Sequence, residues 1–235
     1  ALAILLARGG RPARLWAHRP EQVAEMRAAG RNTRYLPDTP LPPGLTLCDV
    51  LDEAVAGANT VVVAVPSHAF RGLLQALAPK LPQGTRLAWA TKGLEPDTCK
   101  LLHQVAEEVI GPGVPKAVLS GPTFAREVAA GLPTAITVAS AEEACARGLA
   151  ERLHDDFFRA YTSDDVVGVE VGGGVKNVLA IAAGIADGLG FGANTRAALI
   201  TRGLAEVMRL GEALGARRET FMGLAGLGDL VLTCT

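Results

Sequence analysis

The chain has 235 residues, of which 49% are hydrophobic and 20% are charged, and its formal net charge is −1. This composition is ordinary for a globular protein, and the nearly neutral charge excludes a general attraction to nucleic acid or to anionic lipid. The cysteines and histidines are scattered without metal-ligand spacing, and no uninterrupted apolar run has the length of a membrane span. We therefore expect a cytoplasmic protein with reduced thiols, no metal site and no membrane insertion.

Predicted strands and helices alternate along the chain up to about residue 163. In chain order they are a helix end closed by glycine (1–10), a strand (14–18), a helix (20–29), a strand (60–66), a helix (67–77), a strand (86–91), a helix (99–110), two strands (117–120 and 134–140), a helix (142–153) and a strand (158–162). The β-branched run at 60–66 is typical of a strand buried on both faces of a parallel sheet. The alternation predicts right-handed crossovers and an α/β fold with a Rossmann-like doubly wound sheet.

From residue 164 onward the pattern becomes helical and rich in glycine. We therefore predict two domains, a sheet domain over residues 1–163 and an all-helical domain over residues 164–235. A long apolar helix over residues 197–210 could pack within the helical domain or across a homodimer interface.

Three chemically suggestive loops directly follow predicted strands. They are residues 66–68 (PSH), 92–95 (KGLE) and 121–124 (GPTF). Because ligands bind at the carboxyl ends of strands in open α/β sheets, we expect these loops to line a site. Lys92 could instead be an ordinary exposed lysine. Thr123, at the start of a predicted helix, could hold an oxygen-rich ligand or simply cap that helix.

A lysine stands within a run of glycines, GVEVGGGVKN, on a predicted amphipathic helix. Each glycine inside a helix costs about 1 kcal/mol relative to alanine, so something must approach this backbone closely. Tight packing with Lys176 reaching solvent is one explanation. A pocket wall from which Lys176 faces a ligand and donates a proton is the other. The apolar stripe of the helix comprises Val167, Val171, Val175, Val178, Ala182 and Ile185.

The glycine fingerprint of dinucleotide-binding folds, G-x-G-x-x-G after a strand, does not occur in the chain. Ala1 nevertheless begins in what reads as a helix, and the strand that ends at His18 and Arg19 takes the place of the second strand of such a fold. An acidic residue at that strand end suits NAD, whereas arginine suits the extra phosphate of NADP. We therefore expect a nucleotide-binding sheet domain whose first strand and glycine loop are missing from the sequence, and a complete protein that accepts NADP.

Several longer motifs follow one another in order along essentially the whole chain. They are WAHR (16–19), NTRYLP (32–37), VAVPSHA (63–69), WATKGLEP (89–96), LSGPTFAREVAAGLPT (119–134), GVEVGGGVKN (168–177), ITRGLAE (200–206) and GLAGLGDLVLTCT (223–235). Together they resemble the bacterial NAD(P)-dependent glycerol-3-phosphate dehydrogenases. The resemblance implies reduction of dihydroxyacetone phosphate to sn-glycerol 3-phosphate with NADP or NAD, which feeds glycerophospholipid synthesis.

The resemblance also implies the roles of individual residues. Lys176 would be the acid–base residue that gives a proton to the carbonyl oxygen as hydride reaches the adjacent carbon. Lys92 would orient the substrate and contact the cofactor. Gly121, Thr123 and Asp229 would line the substrate site, although Asp229 alone reads as a capping aspartate after a glycine-rich turn. The other residues implied to contact the cofactor are Ala125 and, along its adenosine half, His18, Arg19 and Tyr35.

The chain departs from the family pattern in three places. The strand and glycine loop expected before Ala1 are absent, as is the serine-arginine-asparagine segment expected a few residues after Thr235. Gly174 stands where the family usually has alanine. We therefore interpret the chain as an internal fragment, and we expect the fragment alone to be weakly active or inactive.

Two other functions are compatible with parts of the pattern. Ketopantoate reductases and hydroxyacid dehydrogenases related to 6-phosphogluconate dehydrogenase also join a sheet domain to helices and use a catalytic lysine. The spacing from Gly121 to Lys176 and the GLGDL segment favour the glycerol phosphate enzymes. A non-catalytic nucleotide-sensing or protein-binding module is the alternative from a different class.

Overall fold

The structure, a computed structural model, describes residues 1–234. Its strands are β1 (Ala13–Trp16), β2 (Arg31–Asn32), β3 (Leu36–Pro40), β4 (Leu45–Cys48), β5 (Thr60–Val63), β6 (Arg86–Trp89), β7 (Lys116–Ser120), β8 (Thr134–Ala139) and β9 (Phe158–Ser163). Its α-helices are α1 (Leu2–Arg8), α2 (Pro20–Ala29), α3 (Leu51–Val55), α4 (Ser67–Leu77), α5 (Leu102–Ile110), α6 (Ala125–Ala130), α7 (Glu143–Leu153), α8 (Val166–Gly188), α9 (Ala193–Ala213) and α10 (Asp229–Cys234). The predicted Rossmann-like α/β core followed by helices is confirmed.

The main sheet has five strands in the order β5-β6-β7-β8-β9. The pairs β5–β6, β6–β7 and β8–β9 are parallel, as expected, but β8 runs antiparallel to β7. Helix α6, which lies between β7 and β8, has six residues and rises roughly 9 Å. It is too short to return the chain along a five-residue strand of roughly 17 Å, so the expected right-handed crossover is replaced by a reversal of direction at this point.

Strands β1 and β4 form a separate parallel pair. No strand among residues 1–234 joins this pair to β5. Helix α1 connects the two sheets instead. Its residues Ile4 and Ala7 pack with Leu45 of β4, while Leu5 packs in the cluster that contains Ala88 of β6.

The main sheet is buried on both faces, which gives three layers. Along β6, Leu87 and Trp89 belong to a cluster with Phe70 and Val169, so α4, α5 and α8 cover one face. Ala88 belongs to the opposite cluster, to which α1, α6 and α7 contribute. Leu87, Ala88 and Trp89 are each 0% exposed, as the apolar sequence of this strand predicts.

The segment between α2 and β5 contains elements that the sequence analysis missed. Strands β2 and β3 form an antiparallel hairpin with an irregular register, and β4 and α3 follow. The sequence of β3 contains two prolines, Pro37 and Pro40, which are excluded from central strands but tolerated in an edge hairpin. Because of these prolines, the β propensity of the segment is low and β3 was not predicted from the sequence.

Helix α8 is mostly buried over its first half and mostly exposed over its second, where Ala183 and Ala186 are still buried. The predicted helix is confirmed, but its apolar stripe is not one continuous buried face: Val171 is buried, whereas Val178 and Ile185 are 64% and 59% exposed. By length and composition alone, α8 is the one helix among residues 1–234 that could cross a membrane. It also carries two buried charged side chains, Glu170 and Lys176, which interrupt its apolar sequence.

Candidate active site

Two of the three predicted loops meet helix α8 at the carboxyl edge of the sheet. Strands β6 and β7 are parallel, with Trp89 opposite Val118, so the chain leaves both strands at the same edge. Lys92 follows β6 and Gly121 follows β7. The Lys92 ammonium donates a hydrogen bond of 3.4 Å to the Gly121 carbonyl oxygen, which links the two loops.

A single carboxylate binds two lysines at this edge. One oxygen of Asp229, Oδ2, accepts a hydrogen bond from Lys92 Nζ, and the other, Oδ1, accepts one from Lys176 Nζ. Asp229 is 1% exposed and Lys176 is 7% exposed. Lys176 therefore does not extend to solvent, and the side chain of Asp229 forms ion pairs with two lysines rather than only capping α10.

Thr233 is a further member of this cluster that the sequence analysis did not single out. Its hydroxyl accepts a hydrogen bond of 2.9 Å from Lys176 Nζ and donates one of 2.6 Å to the carbonyl oxygen of Asp229. Asp229 and Thr233 are four residues apart on α10 and hence share one face of that helix. That spacing in the GLGDLVLTC segment is the signal that could have identified Thr233.

The cluster carries a surplus positive charge, because Asp229 neutralises only one of the two lysines. Burial lowers the pKa of Lys92 below its ordinary value, and the nearby Lys176 ammonium lowers it further. The Asp229 carboxylate acts in the opposite direction but does not cancel these effects. Such a buried, cation-rich site favours an anionic ligand or an oxygen that gains negative charge during a reaction.

The glycines of α8 allow close approach on two sides, as the sequence predicted. A Cβ on Gly173 would lie 2.4 Å from Ser120 Oγ at the end of β7. A Cβ on Gly174 would lie 3.2 Å from the Cα of Gly93, the residue after Lys92. Both of the explanations offered for the glycine run therefore hold in part: the helix packs tightly against the sheet edge, and its lysine faces the cluster.

Thr123 lies beside the cluster but does not cap the helix that follows it. The residue at the N-cap of α6 is Phe124, with no side-chain cap, and the Thr123 hydroxyl instead donates a hydrogen bond of 3.2 Å to the Gly121 carbonyl oxygen. The capping explanation for Thr123 was therefore wrong. Gly121 has φ +151°, and a side chain there would meet the backbone of β8 at 3.2 Å, so this position requires glycine.

The residues expected to contact a cofactor lie on other elements. His18 and Arg19 are exposed immediately after β1, and Tyr35 is 54% exposed in the β2–β3 hairpin, with the Arg34 guanidinium 5.2 Å from the centre of its ring. Ala125 is exposed as the first residue of α6. Within residues 1–234 no hydrogen bond or ion pair joins these side chains to the lysine cluster.

These side chains include groups of the kinds that bind phosphate and a nucleobase. Arg34 lies over the exposed Tyr35 ring, Arg19 is exposed after β1, and neither arginine forms an ion pair with a carboxylate in the described part of the chain. Guanidinium groups bind phosphate, and an exposed aromatic face can stack on a base. A surface cavity of about 500 Å³ lies elsewhere, between α1, β3 and α6, and none of the predicted site residues line it.

Comparison with known proteins agrees with the fold and with the motif order. The family model for the N-terminal part of NAD-dependent glycerol-3-phosphate dehydrogenase matches residues 1–146, and the model for the C-terminal part matches residues 165–235. The chain belongs to the NAD-dependent glycerol-3-phosphate dehydrogenase family. This is a family of oxidoreductases that use NAD or NADP.

Individual members of the family show how closely the chain resembles them. It is 61% identical to the glycerol-3-phosphate dehydrogenase [NAD(P)+] of Thioalkalivibrio sulfidiphilus, a match that covers 100% of the chain and 71% of the relative. The crystal structure of the Coxiella burnetii glycerol-3-phosphate dehydrogenase superposes with a TM-score of 0.96 at 50% identity, over 100% of the chain and 71% of that protein. A ketopantoate reductase from Ralstonia eutropha shares the fold, with a TM-score of 0.55 at 15% identity, over 99% of the chain and 91% of that protein.

Proposed function

We propose that the protein catalyses the NAD(P)-dependent interconversion of dihydroxyacetone phosphate and sn-glycerol 3-phosphate. Reduction is the proposed physiological direction, and its product feeds glycerophospholipid synthesis. The observation that supports this most strongly is the Asp229 carboxylate, which holds Lys92 and Lys176 together in a buried, cation-rich site. A phosphate ester whose carbonyl oxygen becomes negative is the kind of substrate that such charge stabilises.

Lys176 is the proposed acid–base residue. The hydride for the substrate carbon is supplied by the reduced nicotinamide when that cofactor is bound. The Lys176 ammonium stabilises the charge that develops on the carbonyl oxygen and gives that oxygen a proton; in the reverse direction the neutral amine takes the proton back. Its hydrogen bonds to Asp229 and Thr233 fix the direction of the ammonium before the substrate arrives.

The other residues of the cluster bind and orient the substrate. Lys92 is proposed to hold a substrate oxygen and to contact the cofactor, because its ammonium lies between Asp229 and the Gly121 carbonyl. Asp229 keeps the two ammonium groups close together in spite of their repulsion. Thr123 and Gly121 line the substrate site on the side of β7.

Cofactor binding is proposed to involve Arg19, His18, Tyr35 and Ala125, with NADP or NAD as the cofactor. The arginine at the end of β1 and the lack of a carboxylate there favour acceptance of NADP. These residues account for the adenosine half and for a contact near α6. The chain contains no glycine fingerprint for the pyrophosphate.

We further propose the division into a cofactor-binding domain, residues 1–163, and a helical substrate domain, residues 164–235. The strands of the main sheet end at Ser163 and α8 begins at Val166, which supports a boundary between them. A cytoplasmic location without membrane insertion is proposed because the charged groups of α8 are already paired within the protein. The predicted helix over residues 197–210 lies within α9, where Val207 and Met208 pack against Phe221, which supports packing inside the helical domain; a homodimer is proposed only through the exposed face of this helix.

The test of this function is the oxidation of NADPH by the protein at the full length that its gene encodes. Dihydroxyacetone phosphate and ketopantoate are compared as substrates, at equal concentration and with NADH in a parallel series. We expect turnover with dihydroxyacetone phosphate and none above background with ketopantoate. Preference for ketopantoate, or NADPH binding without reduction of either compound, would contradict the proposal. The 235-residue chain is assayed alongside, and little or no activity is expected from it.

A further inference from the structure

Helix α8 carries a second buried charged side chain, Glu170, on the side that faces the sheet. Its carboxylate is 2% exposed. Oxygen Oε1 accepts hydrogen bonds of 3.0 Å from the indole Nε1 of Trp89 and of 3.0 Å from the backbone N–H of His103. Oxygen Oε2 lies 2.6 Å from Nδ1 of the His103 ring. Glu170 thus connects α8 to β6 and to the first turn of α5.

These contacts lie on the two elements that carry the lysines of the cluster. Trp89 is the last residue of β6, three positions before Lys92. Glu170 is six positions before Lys176 on α8, which corresponds to roughly 9 Å along the helix axis. Because an indole N–H has one fixed direction relative to its ring, its hydrogen bond to Glu170 restricts where α8 can lie relative to β6.

We propose that Glu170 is a positioning residue, which places Lys176 at the correct distance from Lys92 by holding α8 in register with β6. The inference rests on the proposed function of the lysine cluster. Glu170 does not touch the cluster and acts only through the two backbones. A displacement of about 1 Å, even one caused far from the reacting atoms, can lower a rate about a hundredfold, so a directional contact at this point has a large effect.

An apolar side chain at position 170 would not hold α8 in one fixed register with β6. Burying a carboxylate costs several kcal/mol, and replacing buried charged groups by apolar ones is often neutral or stabilising. Stability alone therefore gives a poor reason for a glutamate here, whereas hydrogen bonds from three donors define one geometry. The proposed role of Glu170 is this geometric one.

A second buried carboxylate on the same helix provides a matched control. Asp165 caps α8 by accepting a hydrogen bond of 2.9 Å from the Gly168 N–H. It also accepts hydrogen bonds from the Arg217 backbone N–H at 2.9 Å and from the Thr220 hydroxyl at 2.6 Å. All these partners lie within the helical part of the chain, so Asp165 stabilises α8 without connecting it to β6.

The experiment compares Glu170→Ala, Glu170→Gln and Asp165→Ala in the full-length protein, with kcat and KM measured for dihydroxyacetone phosphate and for NADPH. We expect Glu170→Ala to lower kcat by about 10- to 100-fold. The KM for NADPH should stay within about twofold, because the residues proposed to bind the adenosine half of the cofactor lie elsewhere and Lys92 itself is retained. Glu170→Gln should recover most of kcat, since its amide oxygen still accepts from Trp89 and His103. Asp165→Ala should lower the melting temperature without a comparable loss of kcat.

A milder variant and a spectroscopic measurement keep the test decisive if Glu170→Ala does not fold or if the parent protein lacks this activity. Trp89→Phe removes the indole donor and retains the aromatic ring. The ¹³Cε resonances of Lys92 and Lys176, followed by NMR, report their surroundings without any turnover. Both resonances should shift in Glu170→Ala and in Trp89→Phe, return in Glu170→Gln and stay in place in Asp165→Ala. Unchanged resonances, or a Glu170→Gln variant as impaired as Glu170→Ala, would overturn the role of Glu170. Shifted resonances in an inactive parent would overturn only the proposed function.

Discussion

Gly172 of α8 lies so close to Ala225 that a Cβ built on the glycine would come within 2.6 Å of the Ala225 carbonyl oxygen. Ala225 belongs to the π-helical turn Leu224–Gly228, which leads directly to Asp229 at the start of α10. The absent side chain of Gly172 therefore allows the turn to place Asp229 beside Lys176. This is a specific structural reason for a glycine that is unfavourable in a helix.

The first prediction contrasts two glycines of the same helix. Gly172→Ala forces a methyl group against the backbone of the turn, so we expect it to destabilise the protein by about 1–3 kcal/mol and to lower kcat. Gly184→Ala meets no atom within 4 Å and should stabilise the protein by about 0.5–1 kcal/mol, as expected for alanine in place of glycine in a helix. Urea unfolding of both variants measures the difference. Equal effects of the two substitutions would contradict the close packing at Gly172.

The second prediction concerns the alkaline side of the pH profile. The pKa of Lys92 is lowered by burial and by Lys176, so its ammonium is lost at a lower pH than that of an ordinary lysine. Because the charged form is the one proposed to bind the substrate, the KM for dihydroxyacetone phosphate should rise as the pH increases through this lowered pKa. Lys92→Arg remains charged throughout and should abolish the rise, although its different shape lowers kcat.

Steady-state kinetics between pH 7 and pH 10 test this, with Lys80→Arg as a control. Lys80 forms a surface ion pair with Asp52, away from the site residues. An alkaline rise in KM that persists in Lys92→Arg would show that another group is responsible.

The third prediction concerns the folding stability that Asp229 provides. Asp229→Asn leaves two buried ammonium groups without their carboxylate, which should cost about 3 kcal/mol at pH 7. Without Asp229, the pKa of Lys92 falls further below the unfolded value of roughly 10.4. At pH values between the Lys92 pKa of the folded variant and that of the unfolded chain, the unfolded chain binds more protons than the folded one. The stability of the variant therefore rises with pH in this window.

Urea unfolding at pH 7 and pH 9 therefore should show a smaller difference between the variant and the parent at the higher pH. Asp52→Asn, which removes the surface partner of Lys80, should change stability by less than about 1 kcal/mol at either pH. An Asp229→Asn penalty that does not depend on pH would contradict the electrostatic explanation.

Local sequence patterns were sufficient for the elements that position the site. The β-branched and apolar runs predicted β5, β6 and β7, and the glycine run predicted a closely packed helix around Lys176. They could not predict that β8 is antiparallel to β7, because strand direction here depends on the short length of α6, whose end the sequence analysis did not predict. The mostly buried and mostly exposed halves of α8 could not be distinguished either, because both halves are apolar in sequence.

The contacts between residues that are distant in the chain also could not be predicted from the sequence. Asp229 was expected at the substrate site only through the family resemblance, and nothing local indicated that it binds two lysines at once. Glu170 and Trp89 are far apart in the chain, and their hydrogen bond depends on the packing of α8 on β6. Side-chain pairs of this kind depend on tertiary structure, whereas periodicity reports only which face of an element is buried.

The most direct test of the central claim is the turnover of Lys176→Ala with dihydroxyacetone phosphate at saturating NADPH, in the full-length protein. Loss of a proton donor that also stabilises the developing charge typically lowers a rate by about 10²–10⁴-fold. We expect kcat to fall at least about a hundredfold, with NADPH affinity largely unchanged and Lys80→Ala close to the parent. Near-normal turnover of Lys176→Ala would contradict the claim that this ammonium protonates the substrate oxygen.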